Sequence, residues 1–200
     1  SAIRRCYIPK AGSKELRPLG VPTVRDRVVQ TALRAAIEPI FEHEFADHSY
    51  GFRPQRSAKM ALQRVDSLLR QGSLWVVDVD LKSYFDTVPH APLMALVKRR
   101  IADGRALDLI EAFLKQPIQE EDRRWIPTVG TPQGAVVSPL LSNLYLDPLD
   151  HHMAKAGFEM TRYADDFVIQ CQTEEAARAA LEEVTRWCGT AELTVHPTKT

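Results

Sequence analysis

The sequence predicts an α+β domain in which helices pack behind an antiparallel sheet. Three observations predict it. Leu74-Trp75-Val76-Val77-Asp78-Val79-Asp80 follows a glycine stop and is dominated by apolar and β-branched residues, as a buried strand requires. Met160 to Cys171 reads as two short strands around a tight acidic turn. Segments of helical periodicity are interleaved with these strands irregularly, without the strict alternation that builds a parallel sheet.

In chain order, the stretch through Val21 is rich in Gly, Pro and basic residues and reads as short strands joined by turns, with Arg17-Pro18-Leu19-Gly20-Val21-Pro22 extended by its prolines. Thr23 can cap a helix in which Val24, Val28, Ala32, Ala36 and Ile40 recur at helical spacing, and Pro39 is expected to bend or end it. Ser49 through Gln55 is expected to be a loop. Ser57 can cap a second helix that carries Ala61, Val65, Leu68 and Leu69 and stops at Gly72. Further helices are expected from about Pro92 to Ile101, from Leu107 to Lys115 and from near Ser138. The last runs from Glu174 to Cys188, with Ala177, Leu181, Val184 and Trp187 inward. No internal repeat, low-complexity segment or flexible linker interrupts the chain, so its lobes are expected to be continuous with one another.

With 200 residues and 44% hydrophobic content, the chain can build one well-buried core, or one domain with a smaller lobe attached. Its apolar runs are short and soon broken by charge, and Ser1-Ala2-Ile3-Arg4-Arg5 does not lead into a signal-peptide core, so a soluble intracellular protein with no membrane partner is expected. Cys6, Cys171 and Cys188 lack the paired spacing of a zinc site or a disulfide framework. A formal net charge of zero argues against a protein that coats nucleic acid through a uniformly basic surface. The distribution is uneven, however. Up to Arg27 the chain holds Arg4, Arg5, Lys10, Lys14, Arg17, Arg25 and Arg27 against only Glu15 and Asp26, which suits phosphate contacts.

The most informative residues are Tyr163-Ala164-Asp165-Asp166, flanked by Met160-Thr161-Arg162 and Phe167-Val168-Ile169-Gln170-Cys171 as hairpin arms. Adjacent carboxylates at a hairpin tip repel by an energy on the order of a few kcal/mol at reduced dielectric, and a divalent cation bound between them removes that cost. Strand alternation places Asp78 and Asp80 on one face, so geometry leaves both as candidates for a third carboxylate. Oxygen ligands without a nearby cysteine favour a hard ion such as magnesium, with manganese as a substitute, in the two-metal design for phosphoryl transfer. His151-His152 lacks clustered partners and is read as structural or surface.

At these residues the chain resembles reverse transcriptases, specifically the group II intron reverse transcriptase/maturase family. The resemblance covers nearly the whole chain. It is carried, in family order, by Arg17-Pro18-Leu19-Gly20-Val21-Pro22-Thr23, Asp26-Arg27-Val28-Val29-Gln30, Ser49-Tyr50-Gly51-Phe52-Arg53-Pro54, Asp80-Leu81-Lys82-Ser83-Tyr84-Phe85-Asp86, Thr131-Pro132-Gln133-Gly134, Ser138-Pro139-Leu140-Leu141-Ser142-Asn143 and Tyr163-Ala164-Asp165-Asp166. It implies a fingers-and-palm fold with an antiparallel palm sheet packed against helices. Residues 1–73 would be mainly fingers, 74–90 palm, 91–130 the connection and 131–200 palm, with no thumb.

The resemblance also implies roles. Asp80, Asp165 and Asp166 would be the catalytic aspartates and hold two magnesium ions with help from the Leu81 backbone carbonyl, whereas Asp78 and Asp86 would not. Phe85 would sit below the nucleotide sugar and select deoxynucleotides, with Tyr84 as the competing choice. Gln133 would contact the incoming nucleotide. Arg17 would grip the triphosphate together with Lys10 or Lys14, and Lys199 could protonate the leaving pyrophosphate. Tyr50, Phe52 and Arg53 would face the template. The implied activity is RNA-directed DNA synthesis from deoxynucleotides on a DNA primer and RNA template, with structured intron RNA as a further partner. The alternative is a maturase-type scaffold that binds structured RNA and assists splicing with marginal polymerase activity.

Overall fold

A computed structural model describes residues 1–9 and 16–197. Lys10, Lys14 and Lys199 lie outside the described residues. The elements are, in order, β1 (Ile3–Pro9), β2 (Leu16–Val21), α1 (Val24–Glu42), α2 (Ala58–Arg70), β3 (Trp75–Asp80), α3 (Tyr84–Thr87), α4 (His90–Lys98), α5 (Gly104–Leu114), β4 (Ile118–Glu120), β5 (Arg123–Trp125), α6 (Ser138–Lys155), β6 (Glu159–Tyr163), β7 (Asp166–Cys171) and α7 (Glu174–Thr190). The chain divides into two units, Ser1–Phe41 with Phe85–Leu141 and Glu42–Tyr84 with Ser142–Thr200. The sequence therefore crosses between units more than once, and residues 42–73 belong with β3 and the acidic hairpin rather than with the N-terminal strands.

In the first unit the strands stand in the order β2-β1-β4-β5, with β1 antiparallel to β2 and parallel to β4. The β4–β5 hairpin has no counterpart in the sequence reading, because three-residue strands rich in charge carry too few positions to show a period. Ile3, Leu33, Ile37, Leu93, Val97, Ile110 and Leu114 are buried, each contributing roughly 1.5–3 kcal/mol by the transfer of its side chain from water. The face that α1 buries is Gln30, Leu33, Ile37 and Phe41, while Val24 and Val28 remain 68% and 64% exposed. This corrects the expected stripe. A strict spacing of four advances about 40° per step around a helix of 3.6 residues per turn, so five such residues wind off any single face. Pro39 neither ends nor breaks α1, which continues to Glu42 with Ile37 and fully buried Phe41 anchoring its last turns.

The second unit is built on an antiparallel sheet in the order β3-β7-β6. Alternation sorts its side chains cleanly. Val77, Val79, Met160, Phe167 and Ile169 are buried, and Asp78, Asp80, Tyr163 and Asp166 point the other way. Helix α7 packs against β3 and β7, and α2 packs against β6. The expected cap at Ser57 is present, accepting a hydrogen bond from the Met60 amide, and Thr173, which the sequence reading did not name, does the same for Ala176. Leu144, Leu146, Leu149 and Met153 of α6 add a further buried stripe.

Asp147 on α6 supplies a pH-dependent element of this unit. Its Oδ1 accepts from the Ala46 amide at 3.2 Å and lies 3.5 Å from His151 Nε2. Burial pushes its carboxyl up to about 6, reinforced by Asp150 and opposed by His151, the Ala46 amide and Arg162. Between the ordinary carboxylate range and about 6 the folded state therefore holds a proton that the unfolded chain has lost, so this group makes stability fall as pH rises through that window. Asp147→Asn keeps the acceptor and removes the charge. Its expected effect is a gain of roughly 1–3 kcal/mol at pH 7 and none near pH 4, read from urea midpoints at the two pH values. An equal effect at both would show that Asp147 does not titrate between them.

Candidate active site

The acidic site of the second unit follows from strand register. β3 and β7 pair so that Asp80 stands directly opposite Asp166, with Val79 opposite Phe167 and Asp78 opposite Val168. Directly opposed residues share a face with Cβ atoms about 4.5–5.5 Å apart, so Asp80 and Asp166 project side by side. The ladder thus distinguishes the two carboxylates of β3: Asp80 neighbours the hairpin tip, and exposed Asp78 lies one pleat farther from it. Asp165 occupies the turn between β6 and β7, next to Asp166. Among the described residues no three His, Cys, Asp or Glu side chains form a ready-made metal cage.

The segment after β3 is held alongside the last described stretch of the chain. Leu81 bridges Val195 in antiparallel fashion through hydrogen bonds from the Lys82 amide to the Thr194 carbonyl and from the His196 amide to the Asp80 carbonyl, 2.8 and 2.7 Å long. The Leu81 carbonyl is outside this pair of bonds. Tyr84, fully buried, donates from its hydroxyl to the Ser142 carbonyl at 2.7 Å, which places it in the core. Burial raises its phenol well above the usual tyrosine range.

The hairpin tip itself is tightly supported. Ala164 has φ 61°, a left-handed conformation that costs a non-glycine residue roughly 1–2 kcal/mol. The Ser49-Tyr50-Gly51 segment runs along β6, with the Arg162 amide donating to the His48 carbonyl and the Tyr50 amide donating to the Arg162 carbonyl, both at 2.9 Å. Gly51 abuts the turn so closely that a Cβ there would lie 2.2 Å from the Ala164 nitrogen. Fully buried Arg162 directs Nε and Nη2 to the carboxylate of fully buried Asp150, and Nη1 to Asn143 Oδ1 at 3.0 Å and to the Ala164 carbonyl at 2.8 Å. Asn143 Nδ2 in turn donates to the Gly51 carbonyl at 2.8 Å.

This arrangement bears on the loop expected to face a template. Arg53 is buried, and its guanidinium donates to the Glu42 carboxylate and to the Ala46 and Ser49 carbonyls, so its donors are engaged within the unit. Tyr50 is buried as well, with Arg56 stacked over its ring at 5.5 Å. Phe52, 43% exposed and at φ 59°, is the exposed member of the trio.

Of the residues expected to touch a nucleotide, Arg17, Phe85 and Gln133 lie in the first unit. Phe85 and Gln133 line one cavity of about 460 Å³ together with Arg5, Pro18, Asp86 and Trp125. Its wall is close-packed backbone: the Gly20 amide donates to the Gln133 carbonyl at 2.6 Å, and a Cβ on Gly134, whose φ is 101°, would lie 2.6 Å from the Gly20 carbonyl oxygen. Arg17 is exposed on β2, and alternation sends it to the opposite face from Pro18 and Gly20, so the guanidinium lining the cavity is Arg5. Arg5 also lies over one Trp125 ring at 5.2 Å, with Arg123 at 5.3 Å from the same ring. The sequence reading held Arg5 only as one of several basic residues suited to phosphate contacts and did not single out Trp125, because the β4–β5 hairpin that brings them together was invisible in it.

Residues 8–200 match the family model described as "Reverse transcriptase (RNA-dependent DNA polymerase)". The chain is 46% identical over 154 residues to Protein YkfC of Escherichia coli (strain K12), covering 75% of this chain and 40% of that protein. It is 41% identical over 160 residues to the Group II intron-encoded protein LtrA of Lactococcus lactis subsp. cremoris, covering 80% of this chain and 26% of that one. The chain thus spans well under half of the length of these relatives. Among solved structures, telomerase from Candida albicans in complex with a fragment of telomeric RNA superposes with a TM-score of 0.70 at 11% identity, over 99% of this chain and 41% of that one. That likeness is one of fold.

Proposed function

The chain belongs to the reverse transcriptase (RNA-dependent DNA polymerase) family, to its group II intron reverse transcriptase/maturase type, and from that premise we propose that it extends a DNA primer on an RNA template using magnesium held by Asp80, Asp165 and Asp166. The single observation that carries this reading is the register of β3 against β7, which sets Asp80 across from Asp166 at the strand end where Asp165 forms the turn. An all-oxygen donor set of this kind fits a hard divalent ion. When bound, magnesium would assist loss of the primer hydroxyl proton and neutralise charge on the departing pyrophosphate.

The chain's own residues do the positioning. Asp80, Asp165 and Asp166 hold the cation, and the Leu81 carbonyl adds a neutral oxygen. Phe85 packs under the sugar, where a 2′-hydroxyl would meet its ring, and Gln133 donates to the nucleotide from a turn whose glycine admits close approach. Arg5 supplies a guanidinium for the triphosphate to the same cavity, in place of Arg17, which leaves β2 on the opposite face. Phe52 offers an exposed ring to a template base. The second unit corresponds in this reading to the palm, and kinship with a group II intron-encoded protein fits a structured intron RNA as natural partner.

The test is incorporation of deoxynucleotides on an RNA template with magnesium, expected in the wild type and lost in Asp80→Asn. Binding of structured RNA without any incorporation would assign the chain to the splicing scaffold instead. Phe85→Ala is expected to narrow the preference for deoxynucleotides over ribonucleotides by roughly 10–100-fold in relative kcat/KM. Unaltered sugar preference would remove Phe85 from that role.

A further inference from the structure

The Arg162–Asp150 pair poses a physical question. Both side chains are 0% exposed, and a fully buried ion pair is seldom worth more to stability than apolar residues of the same volume. Stability alone therefore gives no reason for a guanidinium at this position. Its geometry gives one. Nε and Nη2 are spent on Asp150 of α6, which locks the fork, and Nη1 is left aimed at two acceptors, Asn143 Oδ1 and the Ala164 carbonyl. The Ala164 carbonyl belongs to the planar peptide that enters Asp165, so holding that oxygen fixes the plane from which the Asp165 side chain departs. Asn143 ties the same guanidinium to the Gly51 carbonyl, and Gly51 packs on the other atoms of the turn.

We infer that Arg162 is a positioning residue for the acidic hairpin, holding Ala164 in its left-handed conformation and the Asp165-Asp166 pair ready for a divalent cation against the mutual repulsion of the two carboxylates. The inference deepens the reading above and rests on its assignment of the hairpin carboxylates as cation ligands. A lysine cannot take this place, since a single ammonium has no rigid fork to engage Asp150 while reaching Asn143 and Ala164.

The decisive variant is the double replacement Arg162→Met with Asp150→Leu, which removes both charges together and leaves no bare ion in the core. Asn143→Leu, which keeps the Arg162–Asp150 pair but removes both an acceptor of Arg162 Nη1 and the branch to Gly51, is the second. Three quantities are measured on the full chain: Mn²⁺ affinity by electron paramagnetic resonance, amide hydrogen exchange at Asp165 and Asp166, and primer-extension kinetics. Expected in the folded double variant are a 10–100-fold loss of Mn²⁺ affinity, faster exchange at the hairpin amides, and a lower kcat with little change in KM for primer-template. Asn143→Leu is expected to give the same pattern more weakly, and Arg162→Lys is not expected to restore wild-type behaviour.

A double variant that folds with wild-type Mn²⁺ affinity, exchange and kcat overturns the inference, as does a wild type that binds no Mn²⁺ at the pair. Should the double variant fail to fold, Asn143→Leu with wild-type values in all three measurements overturns it equally. A wild type that binds Mn²⁺ through an Arg162-dependent site yet extends no primer sinks the polymerase reading and leaves the positioning role standing.

Discussion

Asp165→Asn is expected to lower RNA-templated incorporation by on the order of 10³-fold or more while raising the thermal midpoint of the metal-free protein. The two effects share one cause. Like charges about 5 Å apart repel by roughly 3 kcal/mol at an effective dielectric of 20, and solvent reaching this turn reduces that to about 1 kcal/mol. Removing one charge releases the repulsion, which for a chain of this size corresponds to a gain of about 2–4 °C in metal-free buffer. Under the proposed function the same charge would help hold an ion that stabilises the transition state by several kcal/mol, and each 1.36 kcal/mol is about tenfold in rate. Magnesium should consequently raise the melting temperature of the wild type by mass action and leave that of the variant nearly unchanged. A variant that keeps both its magnesium-dependent shift and its incorporation rate would exclude Asp165 from the site.

Gly51→Ala is expected to be the most damaging single methyl group in the second unit. Its Cβ would stand 2.2 Å from the Ala164 nitrogen, 2.9 Å from the Ala164 Cα and 2.9 Å from the Tyr163 carbonyl carbon. All three are backbone atoms, so no side chain can rotate away. Either the 48–51 segment leaves β6, giving up the bonds from the Tyr50 amide and to the Gly51 carbonyl, or the hairpin tip is pushed from its place. We expect a loss of roughly 2–4 kcal/mol and a melting temperature lower by about 5–15 °C. Incorporation should fall further than the folded fraction does, because the displaced atoms lead directly into Asp165. Gly189→Ala, where an added Cβ meets nothing within 4 Å and φ is not in the left-handed region, is the control for an added methyl group alone. If the two cost the same, the close approach at Gly51 is not what matters.

Several features could be read before any coordinates. The acidic hairpin was legible because Asp165-Asp166 interrupts two apolar arms of strand period, and the strand ending in Asp80 because valines alternate with its acids. The caps at Thr23 and Ser57 are likewise local, each depending on a side chain within three residues of the amide it meets. By contrast, the stripe on α1 misled, since a spacing of four mimics a helical face over two turns and leaves it over five. Arg17 looked like the cation of the nucleotide pocket on motif grounds, yet the face from which it departs is a property of β2 paired with β1. Arg162 entered the sequence reading only as part of a hairpin arm, with no role of its own. That it is wholly buried depends on Asp150 and Asn143 coming from a helix more than ten residues upstream.

Chemistry that resides in residue identity and short-range order was thus determined by the sequence alone: the fold class, the family, the two hairpin carboxylates and the strand that carries a third. Which carboxylate of β3 neighbours the hairpin, which arginine lines the cavity and what supports the turn were decided by tertiary structure. The reason is physical. Alternation and capping are set by a few successive dihedral angles, whereas register, cavity lining and buried ion pairs exist only once distant segments have been brought into contact.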